Sequence, residues 1–358
     1  LTPRPPKKAT ETPTEPPTET PTDTPATEAA TPTPTQAASD EFDEDSRECK
    51  NMILDMDFST DVDDVVALRI ATQLHKSGRI NLLAVMSSVQ GEDVCKAMHA
   101  LLGYDGLPDV PIGMSVKDVP SNSPYWQAFI EEYYDEDGYS TKDSVSLYKQ
   151  KIRECAARGE KVRIVTTGFL VNIEELLRDE PGYELVKEHV DAIWIVGGAY
   201  PNHGTDYNFW YTEDSIRAAI YVNDNCPVKL VYSTDQTAGQ GNDHNENRAI
   251  KCGKYLTEKD PSGKDPVNLA FRRYESYYGV RIDDGHIAWD PMCVWAAALT
   301  REECRIKLSE VNTVIYEDGS NTFTPGPNPL RKIIARTSED FDWYETQLDA
   351  WIYRGIKK

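Results

Sequence analysis

The chain has 358 residues, 39% of them apolar and 9% aromatic, with a formal charge of −22, a composition that can bury a substantial core and suits a globular α/β protein rather than a fibrous one. That charge argues against nucleic acid and anionic membrane as partners, because both demand clustered Lys and Arg to displace counterions. A cationic or neutral small substrate fits better, and no apolar run approaches the roughly 20 residues that span a bilayer.

The composition shifts along the chain. Residues 1–40 hold ten of the 23 prolines and twelve threonines, with no aliphatic residue larger than alanine after Leu1. Such a stretch buries too little apolar area to offset its ordering entropy, which predicts an extended, partly polyproline II tail over residues 1–48. Thr/Pro tails of this kind are common as stalks or spacers on exported proteins, so an extracellular location is expected. A first residue of leucine, with no signal peptide, suggests a processed mature protein or a recombinant piece. The seven cysteines, an odd number, leave at least one thiol outside any intrachain disulfide and form no CxxC pair, which argues against zinc and dithiol redox chemistry.

From Cys49 onward, short aliphatic runs alternate with amphipathic segments: "MILDM", "DDVVALRIATQLHKSG", "INLLAVMSS", "EDVCKAMHALLG", "VRIVTTG", "VNIEELLRDE", "AIWIVGG", "TEDSIRAAIYVND" and "VKLVYST". Strands of about five residues separated by helices predict βαβ units. The fold class expected is therefore α/β, Rossmann-like, with a mostly parallel central sheet flanked by helices, as one domain over residues 49–358. In such sheets ligands bind beyond the carboxyl ends of the strands, so each polar motif is tested by whether it follows one.

The first motif, "LDMDFSTDVDD", passes. Asp63 and Asp64 at a helix start are explained by the helix dipole and capping; Asp55 and Asp57, which interrupt the strand end, are not. Carboxylates gathered this closely repel unless a cation neutralises them, and oxygen-only ligands select Ca²⁺ or Mg²⁺. An EF-hand reading fails because Thr60 and Val66 stand where Gly and Glu belong. The strand followed by Asp-x-Asp is also similar to the start of haloacid-dehalogenase-type phosphatases, which would make Asp55 and Asp57 a nucleophile and acid pair.

Three further motifs follow strands. "VRIVTTGFLVNIEEL" has a Gly-containing turn, readable as ordinary strand-to-helix geometry. In "IWIVGGAYPNHGTDYNFW" two glycines permit close backbone approach, and Asn202, Asp206 and Asn208 offer donors and acceptors suited to sugar hydroxyls. In "DDGHIAWDPMCVWAAAL", Asp290 and Pro291 open an apolar helix, where N-capping is the plain reading, while Trp289 and His286 make a pocket plausible. His286 reads as a surface residue, and Tyr277 and Tyr278 as residues either packing or lining a base pocket.

Together, in this order, the four motifs resemble the inosine/uridine-preferring nucleoside hydrolase family over about residues 50–300, "DMDFSTDVDD" matching the longer form of its acidic opening. The resemblance implies Ca²⁺ held by Asp57, Asp64, Asp290 and the Thr167 carbonyl, a ribose diol held by Asp63, and sugar contacts from Asp206 and Asn208, with Asn202 nearby. It implies Ca²⁺-dependent hydrolysis of ribonucleosides, with Asp57 as general base on a metal-bound water. Departures are Trp289 where many members carry His, Ser59 for the usual Gly and Glu92 for Asn. Trp289 then stacks on the base. These departures keep open a secreted binding module without turnover on the same fold. Asp55 is expected to support the site from behind, Asp61 has no assigned role, and assembly into a homo-oligomer is left open.

Overall fold

The computed structural model describes residues 49–201, 203–239 and 249–357. The Thr/Pro tail and Asn202 lie outside the described residues. The strands are β1 (Asn51–Met56), β2 (Asn81–Ser87), β3 (Ile112–Met114), β4 (Thr141–Asp143), β5 (Val162–Thr166), β6 (Val190–Val196), β7 (His203–Thr205), β8 (Lys229–Ser233), β9 (Lys251–Cys252), β10 (His286–Ile287), β11 (Ile306–Ile315), β12 (Ser320–Pro325) and β13 (Arg331–Arg336).

Eleven of them form one sheet in the order β4-β3-β2-β1-β5-β6-β8-β13-β11-β12-β7, and β9 pairs with β10 separately. The pairings from β4 across to β13 are parallel, and those of β11 and β12 antiparallel. The α/β, mostly parallel expectation holds. The antiparallel extension of residues 306–336 falls beyond the last motif that the sequence made legible.

The order places the site. From β1 the chain moves outward through β2, β3 and β4, then returns to β5 on the other side of β1. Helices diverge at that reversal and open a crevice at the strands' carboxyl ends. Register keeps the ends level: Met56 pairs with Ser87, Asp55 with Thr166, and Val196 with Ser233. β1 is buried along its whole length, as expected of a strand covered on both faces.

The helix Asp63–Lys76 is buried from Asp63 to Leu74 and packs against the equally buried Trp289–Ala298. A buried arginine braces this layer. Arg69, 0% exposed, bonds Asp105 through Nε (2.9 Å) and Asp265 through Nη1 (3.0 Å). Asp265 also caps the helix Pro266–Tyr278 through the Val267 N–H, so Arg69 joins the acidic-motif helix to the one that reaches the pocket rim. All seven cysteines are free, and no helix among the described residues is long and apolar enough to cross a membrane.

Replacing Arg69 by methionine leaves two buried carboxylates unpaired and is expected to cost about 3–5 kcal/mol, read as a lower urea midpoint at unchanged slope. A loss under about 1 kcal/mol would show that Arg69 does not tie these helices together.

Candidate active site

The chain leaves β1 through Asp57 and Phe58. Phe58 takes a left-handed backbone, φ 48°, unusual for a bulky residue. Its ring is fully buried, edge-on to Tyr125 and Phe129, and its carbonyl accepts from Trp126 Nε1 at 2.7 Å. This clamp reverses the chain and turns Asp57 back over the strand end, where Oδ1 accepts from the Ser59 N–H at 3.2 Å.

From β5 comes Thr167, whose N–H bonds the Asp55 carbonyl at 2.8 Å and whose hydroxyl donates to Asp64 Oδ1 at 2.6 Å. Gly168 is required beside it. A Cβ there would run into the backbone of Met56 and Asp57 and the Ser88 hydroxyl, so the β1 and β5 ends could not meet. The "TTG" turn is tight, as its plain reading held, and it also seats Asp64.

From β6 the chain passes Gly198, φ 105°, where a Cβ would strike the Phe323 ring, and returns at Asp206. There Oδ1 accepts from the Asn208 N–H at 3.0 Å. Asn208 spends its Nδ2 on the carbonyls of Thr167 (2.9 Å) and Val196 (3.1 Å). The amide nitrogen thereby ties the β5 and β6 turns together, and Oδ1 keeps its capacity to accept a further hydrogen bond. From β8 come Ser233 and Asp235, which no motif had singled out.

These ends enclose a cavity of about 560 Å³ lined by Asp57, Asp61, Asp63, Asp64, Thr167, Asp206, Asn208, Trp289 and Asp290 among others. Every predicted site residue that the structure describes lies on it. The capping readings of the aspartates fail. The helix Asp63–Lys76 is preceded by Val62 and the helix Trp289–Ala298 by Ala288, neither with a side-chain cap. Glu92 is exposed and accepts from Tyr139. Tyr277 and Tyr278 are 68% and 42% exposed and do not line the cavity.

His286 is a correction. It is 8% exposed, because β9–β10 pairing folds it inward, and its ring meets Tyr274 and Trp289 edge-on. Asp55 is fully buried, with Tyr148 Oη (2.8 Å) and Asn172 Nδ2 (3.1 Å to each oxygen) donating to it. Burial raises its pKa to about 7, against the lowering effect of those two donors. It lies behind the site and cannot reach a substrate, so the phosphatase reading loses Asp55 as its nucleophile. Tyr148 lies in no motif, and Asn172, although it falls within "VRIVTTGFLVNIEEL", carried no signal of its own there.

The electrostatics are one-sided. Burial first, then Asp64, raises Asp57 well above the usual range; burial and Asp63, then Asp64 and Asp57, do the same to Asp290. Asp63 is raised by burial, then by Asp61 and Asp64, although it accepts from the Asp290 N–H. No Lys, Arg or His among the described residues pairs with these four. Among the described residues no group of three is arranged as a finished metal cage. The donor chemistry, carboxylates crowded together with a carbonyl that keeps a lone pair, nevertheless fits a hard divalent cation.

The chain matches the family described as inosine-uridine preferring nucleoside hydrolase over residues 52–331. It belongs to that family. The protein is thus an enzyme of a class that hydrolyses N-glycosidic bonds. Its fold is similar to that of the inosine-uridine preferring nucleoside hydrolase of Bacillus anthracis, at 16% identity, TM-score 0.59, over 86% of this chain and 100% of the other. A plant nucleoside hydrolase matches at 15% identity and TM-score 0.61 over 85% and 99%. The type III effector XopQ, solved with adenosine diphosphate ribose, matches at 17% identity and TM-score 0.60 over 87% and 96%. A search of curated proteins returned no match.

Gly168→Ala is expected to part the β1 and β5 ends and, since displacing reacting groups by about 1 Å costs about 10²-fold, to lower kcat/KM on a nucleoside accordingly. Activity within twofold of the parent would show that the close approach is dispensable.

Proposed function

We propose that the enzyme hydrolyses the N-glycosidic bond of ribonucleosides with Ca²⁺, releasing free base and ribose. The observation that carries this is the set of four buried carboxylates, Asp57, Asp63, Asp64 and Asp290, gathered on one cavity with no cationic partner among the described residues. Asp57, Asp64, Asp290 and the Thr167 carbonyl would hold the ion. When bound, it keeps the carboxylates ionised, acidifies an adjacent water and grips the vicinal hydroxyls of ribose.

The chain's own groups do the rest. Asp57 accepts a proton from the attacking water as general base. Asp63, steadied by the Asp290 N–H, accepts from the ribose diol, and Asn208 Oδ1 from a further hydroxyl. Asp206, raised to about 7 by burial, is partly protonated near neutrality and can donate to the sugar as well as accept. Trp289 offers an aromatic face to the base. As the bond breaks, positive charge develops on the ribose, and the surrounding carboxylates stabilise it. The Thr/Pro-rich first 40 residues support placing the enzyme outside the cell.

Ribose release from adenosine, inosine or uridine in Ca²⁺ is expected to vanish with chelator. Asp57→Asn should lower kcat by about 10²–10⁴-fold, the usual contribution of a general base. Turnover that survives both treatments would sink the mechanism. No release from any nucleoside, with binding intact, would favour the module without turnover.

Stability without metal should depend on pH. The folded chain holds its protons on Asp55 and Asp206 up to about 7, against an ordinary 3.8, and Asp57, Asp63 and Asp290 are raised too. Folded protein therefore binds more protons than unfolded across that window, and unfolding free energy falls as pH rises through it. In chelator, the melting midpoint is expected to drop by several degrees between pH 5 and pH 8, and Ca²⁺ should restore more at pH 8 than at pH 5. A flat profile would contradict the buried-carboxylate picture.

A further inference from the structure

Beyond the residues assigned to sugar and ion, the cavity lining includes Ser59, Thr60, Asp61, Tyr207, Asp235 and Trp289. A base bonded to a ribose seated over Asp63 and Asn208 would meet part of this lining. Of its two carboxylates, Asp61 and Asp235, Asp61 is the one linked to Trp289 through His286. Its side chain is 48% exposed, and its position is determined from three sides. Tyr125 Oη donates to its backbone carbonyl at 3.1 Å. Tyr274 Oη donates to Oδ1 at 3.1 Å, and His286 Nε2 stands 4.0 Å from the same oxygen. Both side-chain partners engage Oδ1, so Oδ2 accepts no hydrogen bond among the described residues. His286 in turn packs edge-on against Trp289, centroids 5.9 Å apart. The aromatic face and the carboxylate are thereby held as one unit.

We propose that Asp61 is a specificity-determining residue that accepts a hydrogen bond, through Oδ2, from an N–H on the pyrimidine-ring edge of the base while Trp289 covers the ring face; this rests on the nucleoside reading above. A carboxylate offers only lone pairs. A base edge bearing an amino or imino N–H satisfies it, whereas one bearing only ring nitrogens and C–H sets lone pair against lone pair and leaves both unpaired. The substrates so selected are nucleosides whose base carries such a donor. Tyr274 acts through Asp61 as a positioning residue.

The test uses the full chain with Ca²⁺ and two nucleosides joined through carbon, which cannot be cleaved: 9-deazaadenosine and its analogue lacking the amino group. Calorimetry is expected to show the amino compound binding about tenfold tighter, the lower end for a hydrogen bond to a charged group, given half exposure. The ratio should fall to about one in Asp61→Ala and shrink partway in Tyr274→Phe, with the analogue's own affinity little changed. Equal affinities in the parent, or a ratio untouched by Asp61→Ala, overturn the proposal. Tenfold selectivity without cleavage of adenosine upholds it and removes hydrolysis. If neither compound binds, the proposal falls together with the nucleoside reading.

Discussion

Four carboxylates buried side by side, without a positive partner among the described residues, constitute the constraint on which the rest of this structure depends. Asp57, Asp63, Asp64 and Asp290 are each under a tenth exposed, and burial with mutual repulsion raises three of them well above the ordinary range. A fold does not keep such a cluster by chance of packing, since each buried charge costs several kcal/mol unless compensated. Much of the surrounding architecture is the apparatus that holds it: the Thr167 hydroxyl on Asp64, the Asp290 N–H on Asp63, the Phe58 clamp behind Asp57.

That apparatus is drawn from separate strands, which is why sheet order matters more than any single motif. The reversal between β1 and β5 opens the crevice, and level strand ends deliver Asp57, Thr167 and Asn208 to it together. Asn208 illustrates the economy of the arrangement. One side-chain nitrogen fastens the β5 and β6 turns through two carbonyls. Arg69 performs the corresponding service one layer away, coupling the helix that carries Asp63 and Asp64 to the helix that brings Tyr274 to the rim.

The departures from the commoner family pattern acquire a physical sense in this setting. Trp289 stands where many members carry a histidine, and His286, folded inward by the β9–β10 pairing, packs edge-on behind its ring without lining the cavity. Ser59 fills the place of a glycine while Phe58, not a glycine, takes the left-handed turn. An aromatic bed of Tyr125, Trp126 and Phe129 supports that conformation.

What the sequence by itself determined was local and periodic. Alternating apolar runs identified the parallel sheet, and carboxylates interrupting a strand end marked the site, because charge at such a place has no structural use. Asp57 was legible for that reason, while Asp63, Asp64, Asp206, Asn208, Trp289 and Asp290 were marked by the resemblance of the four motifs taken together, and all line the cavity. What only tertiary structure decided depends on distant segments meeting. Tyr148 and Asn172 reach Asp55 from 93 and 117 residues away, and Tyr274 reaches Asp61 from 213. No spacing records such pairings. His286 looked like an exposed loop residue because its burial comes from a two-residue pairing with Lys251 and Cys252, too short for any periodic signal. The chemistry of the site was written in residue type, whereas its supports, and the role of Asp61, exist only where the folded chain brings those segments together.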